Sequence, residues 1–191
     1  MMNQTNQGAS PPPPRPTYRG DAVKVGPYQV YAGGIVYLRS EDLTQMDVLV
    51  PLFGADEFPF GETYAVTSEQ QPTRIPRLPR GRHFTMLVGR LPELGGVPDD
   101  WEWFLKQKVI PMLQDEKKLL AFCMFGQGRT DTWLASLVAI LEPQTADPIA
   151  AIRERYRHSA VETLAQAKAI FALRGEPVPL KYDQEFAYWD C

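Results

Sequence analysis

Residues 119–130 read Leu119-Leu120-Ala121-Phe122-Cys123-Met124-Phe125-Gly126-Gln127-Gly128-Arg129-Thr130. The apolar run Leu119–Phe122, after Lys117-Lys118, reads as a short buried strand. Further on, Leu134, Leu137, Val138 and Leu141 recur at the i, i+3, i+4, i+7 spacing of an amphipathic helix. What lies between is a strand-to-helix loop. Gly126 and Gly128 let it turn tightly and gather its amides. Such a loop aims several backbone N–H groups into one concavity, and the helix N-terminus adds positive potential. Together they make a cradle for a phosphate-like anion, walled by Met124, Phe125, Gly126, Gln127 and Gly128. Cys123 lies at its mouth, where the same amides and dipole favour a thiolate. Arg129, six residues on, folds back over the cradle, and its planar guanidinium holds two phosphate oxygens at once. Thr130 is placed to hydrogen-bond the cysteine sulfur.

Working outward, Tyr28–Ala32 reads as a strand closed by a turn at Gly33-Gly34. Asp47–Phe53 is a near-continuous apolar run that suits a buried strand of an α/β sheet, and Phe84–Val88 is the next strand candidate. Residues 54–82 have little periodicity; their Arg74, Arg77, Arg80 and Arg82 either border an anion site or lie on a solvated loop. After a Gly- and Pro-rich loop over 89–98, Asp99 starts a helix to about Gln114, with Asp99 and Glu102 at capping-box spacing and Pro111 set to kink it. Trp101 and Trp103 fall on different faces of it, one toward the core and the other toward the cleft. Helices also fit 147–157 and 159–173, followed by a Pro- and aromatic-rich tail from Gly175.

At 191 residues, and about 150 per domain, the chain holds one domain with trimmings. Residues 1–22 form a Pro-rich tail expected to be disordered, and 23–191 the folded domain. The run Pro11–Pro14, Arg15, Pro16 is either a solubilising leader or a polyproline ligand for an aromatic-groove partner. A net charge of −3 argues against a nucleic-acid or membrane-surface binder. The longest uncharged apolar stretch, Trp133–Leu141, is too short to span a bilayer, and the N-terminus lacks a signal peptide's apolar core. Two cysteines exclude a disulfide framework and point to a reducing, cytoplasmic setting. With two histidines beside them they leave no zinc site, so neither metal nor cofactor is expected.

The Cys123-x5-Arg129-Thr130 loop, with Gly126 and Gly128 inside it, resembles the active-site loop of the cysteine-dependent protein tyrosine and dual-specificity phosphatases. The resemblance extends downstream. Residues 151–157 (AIRERYR) look like that family's helix motif with a basic residue before the turn, and 160–166 (AVETLAQ) like its glutamine-containing loop. Upstream, 91–98 (LPELGGVP) looks like its mobile Trp-Pro-Asp loop. The resemblance implies a central mixed, mainly parallel sheet flanked by helices. It implies Cys123 as nucleophile, Arg129 as oxyanion holder, Glu93 as general acid and Gln166 as the residue that positions water. Asp99 and Asp100 remain candidates for the acid. It further implies a phosphoprotein or small phosphomonoester as substrate, phosphotyrosine first or else phosphoserine/threonine, and a cysteinyl-phosphate intermediate.

The sequence also departs from the family pattern. Phe122 stands where the family has His, Leu91-Pro92-Glu93 replaces Trp-Pro-Asp with one residue inserted after it, and Glu162 replaces the first loop glutamine. These changes motivate a second reading, a pseudophosphatase that binds phosphate as an interaction module. A third reading is a rhodanese-like sulfur transferase, whose loop also begins with Cys. Asp131 suits the helix dipole but opposes a thiolate nearby. His83 and His158 read as surface residues, and Cys191 as a bystander.

Overall fold

The computed structural model describes residues 16–53 and 84–187. The Pro-rich stretch up to Arg15, the basic run Arg74–Arg82, His83 and Cys191 lie outside the described residues. In chain order the elements are β1 (Arg19–Val25), β2 (Tyr28–Gly34), α1 (Ser40–Leu43), β3 (Val48–Pro51), β4 (Thr85–Met86) and α2 (Trp101–Phe104). A π-helical turn (Leu105–Val109) continues into α3 (Ile110–Gln114), followed by β5 (Leu119–Cys123), α4 (Arg129–Leu141), α5 (Pro148–Arg155), α6 (Leu164–Ala172) and α7 (Leu180–Phe186).

The strands form one sheet in the order β1-β2-β5-β3-β4. β1 and β2 pair as an antiparallel hairpin, while β2, β5, β3 and β4 run parallel, which gives the mixed, mainly parallel sheet. β3 and β5 are buried along their whole length, as strands covered on both faces must be. Alternation then sorts their side chains into two layers. Val48, Val50, Leu119, Ala121 and Cys123 face the larger core, which takes in α4 to α7. Leu49, Leu120 and Phe122 face a smaller core with Leu38, Leu43 and Phe53. Cys123 therefore leaves the end of β5 on the α4 side, and its neighbour Phe122 points the opposite way.

Several expected boundaries shift for identifiable reasons. β1 starts at Arg19, so the domain boundary drawn at residue 22 falls inside a paired strand. Gly33 and Gly34 end β2 instead of making a turn; the hairpin turn lies at Gly26-Pro27, where Gly26 takes φ +57°. The strand expected over 84–88 is confined to Thr85–Met86. The helix expected from Asp99 begins at Trp101: Pro98 C=O accepts from Trp101 N–H at 3.0 Å, and Asp100 occupies the cap position without a side-chain bond. The Asp99–Glu102 capping box does not form, because the cap position falls on Asp100 and leaves Glu102 one residue short of the box; Glu102 pairs with Lys106 at 2.5 Å. Near Pro111 the helix widens into the π turn just N-terminal to the ring, which accommodates the missing N–H. The helix expected over 159–173 starts only at Leu164, capped by Thr163, whose hydroxyl accepts from Gln166 N–H at 3.2 Å. The tail from Gly175 carries α7, which docks on α6 through Tyr182 and Phe171.

α4 departs most from its sequence pattern. Its first three turns, Arg129 to Ala139, are buried on every side, not along one stripe. The sheet covers one side, and α5 and α6 the other. Small and hydroxylated residues permit this: Ser136 Oγ accepts from the buried Trp101 indole N–H at 3.1 Å. At its C-terminal end, Glu142 ties three segments together. It accepts from both Arg155 Nη atoms at 2.6 and 2.8 Å, from Gly26 N–H at 2.6 Å and from Thr145 Oγ at 2.9 Å. The Arg155 guanidinium, helped by the Gly26 amide and the Thr145 hydroxyl, holds its carboxyl down to about 2 from an ordinary 4.5. A lowered folded-state pKa means stability present above the ordinary value and lost as pH falls through the folded one. Glu142→Gln should thus cost about 2 kcal/mol at neutral pH. In denaturant melts the gap to wild type should close as pH falls from 4.5 toward 2.

Candidate active site

The 124–128 loop is laid down by a backbone-on-backbone contact. A Cβ added to Gly34 would collide with the Phe125 carbonyl carbon, and one added to Gly126 would come within 2.7 Å of the Gly33 and Gly34 backbone. Gly126 also takes φ +72°, and Gly128 φ +37°. Gly34 and Gly126 are needed because the loop folds flat against the end of β2, and Gly128 because its backbone is left-handed and lies against the Glu162 carboxylate. Ile35 N–H donates to Cys123 C=O at 2.8 Å, and the Tyr156 hydroxyl donates to Gly126 C=O at 2.9 Å, fixing the loop from both sides.

So placed, the backbone N–H groups of residues 124–128 donate to no acceptor among the described residues. The loop walls a cavity of about 70 Å³, several times the ~10–15 Å³ that admits one water. Glu93, Cys123, Met124, Phe125, Gln127, Gly128, Arg129 and Gln166 all line it, joined by Leu94 and Glu162. Cys123 Sγ lies 3.1 Å from Gln127 C=O, to which the thiol donates, and accepts from Thr130 Oγ at 3.2 Å. Thr130 is fully buried, and Arg129 nearly so, with its guanidinium over the Phe53 ring at 5.3 Å. Gly126 lies behind the cavity wall. Asp99 and Asp100 are exposed and do not line the cavity, whereas Glu93 does. Trp101 is buried, and Trp103 is 54 % exposed under Lys108 and away from the cavity, against the expectation that it would face the cleft.

A chain of charges behind the cavity was not legible as a unit. Asp131, in the first turn of α4, accepts from Arg157 at 2.7 Å, and Arg157 reaches on to Glu162 at 3.0 Å and Ser159 at 3.0 Å. Glu162 N–H donates to Gln166 Oε1 at 2.9 Å, so Gln166 braces this segment. Burial pushes the Asp131 carboxyl up to about 6 against the pull of Arg157; its Oδ1 has no hydrogen-bond partner. Next to this network Val161 sits at φ +66°, a strained setting for a β-branched residue, held by its buried side chain and its N–H to Asp131. The result is a Glu162 carboxylate whose Oε2 would lie 2.5 Å from a Cβ on Gly128. A fixed negative charge at an anion cradle opposes a bound anion.

Two measurements check this geometry. Gly34→Ala should leave a folded protein by circular dichroism that no longer binds vanadate, because the loop must lift off β2. Glu162→Gln should tighten vanadate binding by about three- to tenfold in calorimetric titration, as one like charge is removed. Unchanged affinity in both would show that the cradle lies elsewhere.

No protein-family model matches the sequence, and no curated protein does. Solved structures do match. Tk-PTP in its active form aligns with TM-score 0.59 at 18% identity, covering 81% of this chain and 97% of that one. A human tyrosine phosphatase-like serine/threonine/tyrosine-interacting protein aligns with TM-score 0.55 at 13% identity over 81% of this chain and 95% of that one. Human DUSP28 aligns with TM-score 0.53 at 14% identity over 86% and 97%. With the parallel sheet, the Cys123 loop at the end of β5 and the buried α4 behind it, these alignments give the chain the fold of the protein tyrosine and dual-specificity phosphatases.

Proposed function

We propose that the protein is a cysteine-dependent phosphatase that hydrolyses phosphomonoesters, with phosphotyrosine in proteins as the first substrate class. The observation that carries this reading is Cys123 Sγ at a row of unengaged loop amides, hydrogen-bonded by a buried Thr130 at 3.2 Å. In the first step the Cys123 thiolate attacks phosphorus in line. Arg129 and the loop amides hold the three equatorial oxygens as charge shifts onto them. Glu93, in its acid form, gives its proton to the departing phenolate or alkoxide. In the second step water attacks the phosphorus of the cysteinyl phosphate and the P–S bond breaks. The electron pair returns to sulfur, where the Thr130 hydroxyl stabilises it. Glu93, now a carboxylate, takes the water proton, and Gln166 orients that water. Phe125, half exposed at the mouth, and the absence of basic residues in the loop suit an aryl ester better than a polyanionic one.

Glu162 supports a second reading, a module that binds phosphate without turning it over. It occupies the place where the resemblance puts the first loop glutamine, which would help position water for the hydrolytic step. Hydrolysis of p-nitrophenyl phosphate separates the two. Cys123→Ser should abolish turnover, Arg129→Lys should lower it by about 10²-fold or more, and Glu93→Gln should lower it by about 10²-fold. A wild type as inert as Cys123→Ser that still binds vanadate would replace the enzyme with the binding module. Full activity in Glu93→Gln would move the acid role to another residue.

A further inference from the structure

Beside the small cavity lies a groove of about 780 Å³, bounded by the 91–98 loop, the segment leading into α6, and the end of α7. Leu94 and Glu162 line both spaces, so the two adjoin across a shared rim. The cavity of about 70 Å³ accommodates a phosphoryl group and little more, and whatever carries that group must leave across this shared rim. Leu94, 61 % exposed and held at φ +56°, forms the ridge. Beyond it, Val161, Leu164 and Phe186 give the groove an apolar floor.

The charges in the groove are unevenly engaged. Glu185 is taken up by Arg153 at 2.6 and 2.9 Å, and Glu162 by Arg157 at 3.0 Å. Lys168 is exposed on α6 and makes no hydrogen bond or ion pair with the described residues. Among the described residues, the groove thus offers apolar surface and one available cation, Lys168.

We propose that this groove receives the polypeptide flank of a phosphorylated protein, an apolar side chain on the floor and an acidic one at Lys168. The proposal rests on the phosphatase reading and narrows it, from phosphomonoesters in general to phosphopolypeptides with an apolar and acidic neighbourhood. A bare aryl phosphate fills the cradle and leaves the groove empty, so the two substrate kinds report on the two spaces separately.

The test compares kcat/KM for p-nitrophenyl phosphate with that for two phosphotyrosyl peptides, one flanked on both sides by Leu and Glu, the other by Ser and Lys. The wild type should prefer the Leu/Glu peptide by about tenfold. Ala165→Trp, an exposed substitution that fills the groove, should remove that preference and leave the aryl phosphate within about twofold. Lys168→Glu should lower turnover of the Leu/Glu peptide and raise that of the Ser/Lys peptide, each by about threefold. Equal rates on both peptides in the wild type, or variants that change peptide and aryl phosphate in parallel, would overturn the proposal. If no substrate is turned over, only the enzymatic reading fails. Fluorescence polarisation of the same peptides then decides the groove, with the same expected order of affinities. A concentration-dependent dimer that Ala165→Trp dissolves would assign the groove to a second copy of the chain and also overturn the proposal.

Discussion

The backbone of the 124–128 loop rests directly on the backbone of Gly33 and Gly34 at the end of β2, with no side chain between them. That contact sets where the loop amides point, and with them the depth of the cavity and the exit of Cys123. It is possible only because β2 and β5 are parallel neighbours in register, Gly34 opposite Cys123. Side chains then reinforce it. Tyr156 holds the Gly126 carbonyl from behind, and Thr130 reaches both Cys123 Sγ and, at 3.4 Å, the Gly33 carbonyl. A methyl group on Gly34 or Gly126 would therefore disturb the site more than many changes to the residues that line it.

Much of this was legible in the sequence where one local rule acts alone. The apolar run before Cys123, the glycines after it and Thr130 four residues before Leu134 specify a strand, a tight loop and a helix without help from the rest of the chain. What was missed depends on partners distant in sequence. Gly33-Gly34 reads locally as a turn, and only the loop lying on it shows why two glycines end a strand. The all-round burial of α4 follows from α5 and α6 closing over it. Its Ser136 and Thr132 look like a polar face until Trp101 and the Gly128 carbonyl are seen to satisfy them. Asp99 has the spacing of a cap, but Pro98 sets the turn, and Glu102 is engaged by Lys106. For the candidate site, Cys123, Met124, Phe125, Gln127, Gly128, Arg129, Glu93 and Gln166 were named from the sequence and line one cavity, while Gly126 and Thr130, also named, do not line it. The Asp131–Arg157–Glu162 chain was not named, because its members lie far apart in the sequence and only the fold assembles them.

The electrostatics of the site combine opposed terms. Loop amides, the α4 N-terminus and Arg129 favour an anion at the cavity. Glu162 and Glu93 line the same volume with carboxyl groups, and Asp131 lies behind it. Arg157 offsets Glu162 and Asp131, and burial without a partner for Oδ1 makes Asp131 the least comfortable in ionised form. An anion cradle lined by two carboxyl groups binds more weakly than amides and guanidinium alone would, and in the proposed mechanism it keeps Glu93 beside the reacting phosphorus. Weak product binding and available proton transfer both suit turnover better than retention.

In the proposed reaction Cys123 becomes covalently phosphorylated during turnover. Acid quenching of the enzyme within the first turnovers on an aryl phosphate, followed by mass spectrometry of the peptide containing Cys123, tests it directly. A population carrying one phosphoryl group on Cys123 is expected, absent from Cys123→Ser and enriched when Gln166 is replaced by Ala. Steady hydrolysis with an unmodified Cys123 at every quench time, in wild type and Gln166→Ala alike, would contradict it.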